Sequence, residues 1–118
     1  MTVIAGDYIR YRESAYTGIV KVNKVSYVKD DGGKFTYKLS DDTETTDPYI
    51  ISTGSLMDVL REGDLAITHS DKVKQVEKIK SNYCQFYSDF HLTFEDGITK
   101  SIKAILTKEQ VEYYAYKL

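Results

Sequence analysis

The sequence predicts a mainly β protein with a minor helical part: a small curled antiparallel sheet or SH3-like barrel built from two related halves, each ending in a short helix. The first observation is that short runs rich in β-branched and aromatic residues are separated by turn signals. The second is a repeated phrase, in which a Gly-Asp turn precedes an apolar strand, at Gly6-Asp7 and again at Gly63-Asp64. The halves cover about residues 6–60 and 63–116 of a single domain, 1–118.

The composition is that of an ordinary globular chain with one modest core. Its 118 residues are 42% hydrophobic and 29% charged, with a net charge of −2. No apolar run reaches the roughly 18 residues of a membrane span, so we expect no membrane partner. The N-terminus lacks the pattern of a signal peptide, and the single cysteine, Cys84, cannot form an internal disulfide. Both features favour a cytoplasmic location.

The first half is predicted to begin with a strand, which a β-hairpin follows. Residues 8–13 form a first strand, and a longer β-rich run follows at 19–29. Its apolar alternation changes phase near Asn23-Lys24, which predicts a bulge or a sharp bend. Residues 30–33 have the composition of a tight turn, and a cleanly alternating return strand covers 34–40.

The first half then closes with a loop, a short strand and a helix. Residues 41–48 are polar and acidic and predict a loop, and residues 49–52 predict a strand. Ser55 is suited to cap a brief helix at 56–60, which leads into the second Gly-Asp turn.

The second half repeats this order, with one ambiguous segment. In residues 73–80, Val73, Val76 and Ile79 recur every three residues, which also suits an amphipathic helix. The likeness to residues 20–25, with Lys78 in the place of Lys24, favours a strand. The other predicted elements are strands at 65–68, 83–87, 90–94 and 98–106, a loop at 69–72, a turn at 95–97, and a last helix at 108–116 opened by a Thr107-x-x-Gln110 capping box.

Residues suited to catalysis or metal binding are few and scattered. His69 with Asp71, His91 and Cys84 match no zinc-ligand spacing. Cys84 and His91 are the only conceivable nucleophile and base, yet a cysteine among aromatic residues is more often a buried apolar group. We therefore expect no enzyme, no metal and no cofactor.

An acidic run is the first candidate for binding. Four carboxylates, at Asp41, Asp42, Glu44 and Asp47, lie within seven residues that contain no basic side chain. Such a segment can imitate a phosphate backbone and occupy the basic groove of a nucleic-acid enzyme. A solvated connector is the more common role for a run of this kind.

The tyrosines are the second candidate. The chain has 11 of them and no Trp, more rings than a small core buries, so some rings should be exposed to bind a base or a protein surface. Core packing remains the majority expectation for the set. The binding candidates are Tyr8, Tyr11 and Tyr16, and further members of the set are Tyr83, Tyr87, Tyr113, Tyr114 and Tyr116.

Residues 50–118 contain phrases found in a known group of proteins. Residues 51–65, with their Leu-Met-Asp-Val-Leu-Arg-Glu-Gly-Asp-Leu run, residues 101–112 and the Tyr-Lys-Leu tail at 116–118 resemble small accessory proteins of phages and prophages of Gram-positive bacteria. The resemblance implies a protein without an active site that acts in the bacterial host cell by stoichiometric binding, often against host defences.

Three functions follow from these observations. The first is an inhibitor or modulator of a host protein, of an anti-CRISPR kind, with the acidic run as the contact. The second is a sponge for a small nucleotide signal, with aromatic rings and basic side chains in a pocket at a homodimer interface. The third is a nucleic-acid-binding β-barrel using Lys21, Lys24, Lys74 and Lys78, which the absence of a basic surplus makes less favourable.

Overall fold

The fold is mainly β, as the sequence predicts, and consists of two antiparallel five-stranded sheets. The structure is a computed structural model that describes residues 3–88 and 92–115. The first half contains β1 (Tyr8–Arg12), β2 (Val20–Asp31), β3 (Lys34–Leu39), β4 (Glu44–Thr46), a 3₁₀-helix (Asp47–Tyr49), β5 (Ile50–Gly54) and α1 (Leu56–Val59). The second contains β6 (Leu65–Thr68), β7 (Val73–Ile79), β8 (Tyr83–Phe86), β9 (Thr93–Phe94), α2 (Glu95–Ser101), β10 (Ile102–Leu106) and α3 (Lys108–Ala115).

The two sheets have the same topology. Their strand orders are β4-β3-β2-β1-β5 and β9-β8-β7-β6-β10, and every pairing is antiparallel. In each half four strands follow one another as neighbours, a short helix intervenes, and the fifth strand returns beside the first. The predicted internal repeat is therefore a repeat of topology, and each half carries a short helix after its last strand.

The Gly-Asp turn has the same backbone geometry in both halves. Gly6 and Gly63 have φ values of 98° and 95°, which favour glycine because it has no Cβ. The amide of each glycine donates a 2.8 Å hydrogen bond to a valine carbonyl, Val25 in the first half and Val76 in the second. Each valine amide returns a 2.8 Å bond to the carbonyl of the aspartate that follows the glycine.

These bonds correct the alignment of the halves made from the sequence. Val25 corresponds to Val76, so Lys24 does not correspond to Lys78, because the loop before β2 is longer than the loop before β7. A bulge follows each valine, between Val25 and Tyr27 in the first half and between Val76 and Lys78 in the second. The predicted bulge therefore exists, slightly beyond Asn23-Lys24, and the ambiguous segment is strand β7.

Two predicted connections are wrong because tertiary contacts organise them. The predicted loop 41–48 contains β4 and the 3₁₀-helix, since Thr45 pairs with Tyr37 on β3 and is buried there. The predicted turn 95–97 belongs to α2, which buries Ile98 completely and delays β10 until Ile102. Of the predicted strand 90–94, residues 90 and 91 lie outside the described residues and the last two form β9.

The predicted Ser55 cap and the predicted Thr107–Gln110 capping box are both present, and the Ser55 cap is a full capping box with Asp58. The Ser55 hydroxyl accepts from the Asp58 amide at 3.3 Å, and the Asp58 carboxylate accepts from the Ser55 amide at 2.9 Å. At α3 the amide of Gln110 donates to Thr107 Oγ1 at 3.1 Å, and the amide of Thr107 donates to Gln110 Oε1 at 2.9 Å. Residue 116 of the predicted last helix lies outside the described range.

The larger of two apolar clusters joins the halves. It combines first-half residues with second-half residues: Val22, Leu56, Met57, Val59, Leu60, Ala66, Val76, Cys84, Phe86, Ile98 and Ile105. The smaller cluster lies within the first half: Val3, Ile9, Tyr11, Val25, Tyr37 and Leu39. Burial of apolar surface between the halves makes each half part of the other's core.

A buried ion pair also fixes the halves together. Arg10 of β1 donates to both carboxylate oxygens of Asp64 at 2.7 and 3.2 Å, and to Glu109 of α3 at 2.9 Å. Asp64 accepts two further bonds, from the amides of Arg61 and Lys108 at 2.9 and 3.1 Å. The carboxylate is fully buried and well supplied with donors, as a buried charge requires.

The helices of the described part of the chain are all too short and too polar to cross a membrane.

Candidate functional site

A cleft of about 390 Å³ lies where the two halves meet, between β2 of the first and β10 of the second. Its apolar lining includes Val22, Leu56 and Ile105, which belong to the shared core. Its polar lining comes from Lys21, Asn23, Lys24, Ser40 and Asp41 on one side and from Lys103 and Gln110 on the other. Both walls come from one chain.

The cleft exists because β2 loses a neighbour along part of its length. β3 pairs with β2 only from Val25 onward, so among the described residues no strand pairs with the outer edge of 20–24. The gap is closed at one end by the Thr107 hydroxyl, which donates to the carbonyl of Val20. At the other end the amide of Ser40 donates to the carbonyl of Lys24 at 2.9 Å. Hydrogen bonds to the carbonyls of β2, one from a side chain and one from the backbone, therefore close both ends of the opening.

Three lysines give the cleft a positive lining. Lys21 Nζ lies 3.6 Å from the carboxylate of Glu13, and Lys24 Nζ lies 5.9 Å from the centre of the Tyr8 ring. Lys103 donates a hydrogen bond to Asp71 from the opposite wall. Asp41 is the one carboxylate among the lining residues, so the lining itself carries a positive surplus.

Tyr8 is the aromatic component of the cleft. Its ring is half-buried and packs against the shared core, while one part faces the opening. β1 places it directly across from Lys24 in the sheet, which explains the cation–π contact. An aromatic surface and cationic side chains therefore lie side by side.

Polar side chains of the first wall form a connected set. Asn23 Nδ2 donates to Tyr11 Oη at 2.7 Å and to the Asp41 carboxylate at 3.3 Å, and Ser40 Oγ donates to Asn23 Oδ1 at 3.4 Å. Tyr11 is buried, and that burial raises the pKa of its hydroxyl. The predicted residue Tyr11 thus supports the cleft from within the first-half core, outside the lining.

All four carboxylate residues of the acidic run are exposed, and two of them, Asp41 and Asp47, accept internal hydrogen bonds. Asp41 accepts from the amide and hydroxyl of Thr43 at 3.1 and 2.5 Å, and Asp47 accepts from the Tyr37 hydroxyl at 2.5 Å. Burial tends to raise the pKa of Asp41, but the hydrogen bonds from Thr43 and Asn23 outweigh it and lower the pKa. Asp42 and Glu44 are exposed and, like Asp47, do not line the cleft.

The remaining candidates lie away from the cleft. Tyr16 is 98% exposed in the loop between β1 and β2. Lys74 and Lys78 lie on β7, and Lys74 Nζ lies 5.8 Å from the Phe86 ring centre. Neither lysine lines the cleft, so they do not form one basic surface there with Lys21 and Lys24. Tyr113 and Tyr114 stack edge to face on α3 with ring centres 5.4 Å apart. Tyr116 lies outside the described residues.

Cys84 has the properties of a core residue. It is fully buried beside Phe86 and Val76, and burial raises the pKa of its thiol to about 11. A thiol with such a pKa stays protonated at neutral pH, whereas an activated nucleophile needs a lowered one. His91 lies outside the described residues. Within residues 3–88 and 92–115 no group of three or more His, Cys, Asp and Glu residues is placed to hold a metal.

The sequence predicted residues on the β2 wall of the cleft but not the lysine on the β10 wall. Tyr8 and Asp41 were candidates for binding, and Lys21 and Lys24 were candidates for nucleic-acid contact, but Lys103 carried no signal. Its position opposite β2 depends on how the halves pack, which no local pattern encodes. For Asp64 the sequence predicted the turn that contains it but not its buried ion pair with Arg10.

Searches of protein-family models, curated proteins and solved structures returned no match to this chain. The fold and the cleft therefore define the class on their own: a small two-sheet β domain with a basic, partly aromatic opening between its halves.

Proposed function

We propose that the protein is a non-catalytic binding protein that sequesters a small phosphorylated ligand, of the nucleotide class, in the cleft. The observation that supports this best is the lining itself: Lys21, Lys24 and Lys103 beside the Tyr8 ring. Lysine is a common phosphate ligand, and an aromatic face accepts a base by stacking. The volume of about 390 Å³ is within the range of small-molecule sites.

The roles divide between the walls of the cleft. Lys21 and Lys24 on β2 and Lys103 on β10 neutralise the phosphates, and Tyr8 contacts the base or sugar. Asn23 and Ser40 supply polar atoms for the remaining ligand groups. In this proposal the residues bind the ligand, and none of them transfers a proton or forms a covalent bond.

A thermal-shift panel of mono-, di-, tri- and cyclic nucleotides tests the proposal. Because a ligand that binds only the folded state raises its stability, the bound class should raise Tm in a concentration-dependent way. The double variant Lys24→Ala/Lys103→Ala should lose the shift, while Lys34→Ala, an exposed lysine of the β2–β3 hairpin outside the cleft, should keep it. A shift of equal size in both variants would contradict the cleft as the site.

A second function is favoured by two exposed carboxylates of the acidic run, Asp42 and Glu44. We propose that Asp42, in the turn before the edge strand β4, and Glu44, the first residue of β4, contact a basic groove on a host protein in the cytoplasm of a bacterium carrying a phage or prophage. Asp41 and Asp47 are occupied by internal hydrogen bonds, so the decisive variant is Asp42→Asn/Glu44→Gln.

Affinity capture from host lysate after nuclease treatment tests this function. A specific protein should bind the wild type, elute at high salt and be lost with the double variant. Asp30→Asn/Asp31→Asn, at the exposed hairpin tip, is the charge-matched control. Equal capture by both variants would remove the acidic run from the interface.

A further inference from the structure

One cleft lysine from each half, Lys21 and Lys103, has a counter-ion in the structure. Lys21 of β2 pairs with Glu13 in the β1–β2 loop, with 3.6 Å between the charged atoms. Lys103 of β10 pairs with Asp71 in the β6–β7 loop. These loops are equivalent in the two halves, since each follows the first strand of its sheet.

Both carboxylates are exposed enough to be exchanged. The side chain of Glu13 is 41% exposed and that of Asp71 is 77% exposed. Ion pairs at such positions are weak because water screens them and ordering the side chains costs entropy. A phosphate group carries more charge than a carboxylate and offers more acceptor oxygens, so it competes well for the same ammonium group.

We infer, on the basis of the proposed function, that the ligand carries at least two phosphate groups and binds by displacing Glu13 and Asp71 from Lys21 and Lys103. The two lysines lie on opposite walls, so each exchange needs its own anionic group. A single phosphate replaces one counter-ion and leaves the other pair intact. Glu13 and Asp71 thereby set the selectivity of the cleft for multiply phosphorylated ligands.

The backbone holds Asp71 where it can act as a counter-ion. Its φ of 62° is in the left-handed region, and its amide donates to the carbonyl of Thr68 at 2.9 Å. The amide of Thr68 in turn donates to the carbonyl of Lys72 at 2.9 Å, which closes the turn. The hydrogen bond from Lys103 lowers the pKa of Asp71, so the carboxylate is charged at neutral pH.

This geometry provides a variant that removes charge without disturbing the turn. Asparagine accepts the left-handed conformation at least as readily as aspartate, so Asp71→Asn keeps the backbone and loses the counter-ion. Glu13→Gln is the corresponding change in the other loop. Glu77→Gln, an exposed carboxylate of β7 outside the cleft, is the control for net charge.

The test is calorimetric titration of orthophosphate, pyrophosphate and tripolyphosphate at constant ionic strength. Pyrophosphate and tripolyphosphate should bind and orthophosphate should bind far more weakly. Asp71→Asn and Glu13→Gln should each tighten tripolyphosphate binding by about two- to five-fold, the size expected when a weak competing ion pair is removed. Glu77→Gln should change it less than either.

The contradicting results separate this inference from the proposed function. Equal affinity for all three phosphates, with binding still lost in Lys24→Ala/Lys103→Ala, would overturn the counter-ion inference and leave the cleft as an anion site. Unchanged tripolyphosphate affinity in both loop variants would do the same. Failure of every phosphate and every nucleotide to bind would overturn both proposals.

Discussion

At the scale of single residues, the two aspartates of the repeated turn show what burial changes. Asp7 and Asp64 each accept a hydrogen bond from the amide three residues earlier, Ile4 at 3.0 Å and Arg61 at 2.9 Å. Asp7 remains partly exposed, whereas Asp64 is fully buried and also binds Arg10. In the first half the turn aspartate only closes its own turn. In the second half the equivalent aspartate also joins the two halves through Arg10.

We expect Asp64→Ala to destabilise the protein by about 3–5 kcal/mol, because it leaves the Arg10 guanidinium buried without its main partner. Asp7→Ala is the matched control and should cost about 1 kcal/mol, the size of one partly exposed hydrogen bond. Urea denaturation followed by circular dichroism measures both. Equal costs for the two variants would show that the Arg10 contact contributes no stability.

At the scale of elements, local signals predicted the caps and the hairpin, and long-range contacts decided the rest. The box at Ser55 and Asp58 and the turn at 30–33 depend on residues three or four apart, which a sequence displays directly. β4 forms because Thr45 meets Tyr37, and α2 forms around the buried Ile98. The local sequence of β4 does not reveal its pairing with β3, and that of α2 does not reveal that Ile98 is buried.

Gly54 connects β5 to α1 and is a sharp test of the α1 cap. Its φ is 146°, and an added Cβ would lie 2.4 Å from the Asp58 carboxylate oxygen that closes the capping box. Gly54→Ala should therefore cost about 1–3 kcal/mol through backbone strain and a displaced cap. Gly18→Ala is the control, since its Cβ would meet nothing within 4 Å and its φ is not in the left-handed region.

Thermal or urea denaturation of the two glycine variants gives the comparison. If Gly54→Ala is as stable as Gly18→Ala, the Asp58 side chain moves aside at no cost and the cap is not rigid.

At the scale of the whole molecule, the halves share their larger core, so we expect one cooperative unfolding transition. Far-UV circular dichroism and tyrosine fluorescence should give coincident denaturation curves. Residues 1–62 expressed alone should not fold, because Leu56, Met57 and Val59 would lose the second-half side chains that bury them. A separate transition for the first half would show that its own cluster around Ile9 and Tyr37 suffices.

The cleft is also a property of the whole molecule, which is why the sequence predicted it only in part. Lys21 and Lys24 line a cleft, and are not isolated surface charges, because β10 lies opposite β2. That placement follows from the packing of the halves, and separations of about 80 residues in the chain carry no periodic signal. Tyr8 was predicted as a binding candidate because an aromatic ring can stack or pack against a ligand wherever it lies in the fold.

The matching bulges have a consequence for which side chains the bulge position accepts. Each half bends its sheet after the same valine, with Ser26 at the bulge in one half and Glu77 in the other. The bend thus results from the shift in hydrogen-bond register, and residues as different as serine and glutamate occupy the bulge position. The two halves therefore carry different side chains at this position on the same backbone geometry, so their likeness is clearer in the hydrogen-bond register than in the sequence.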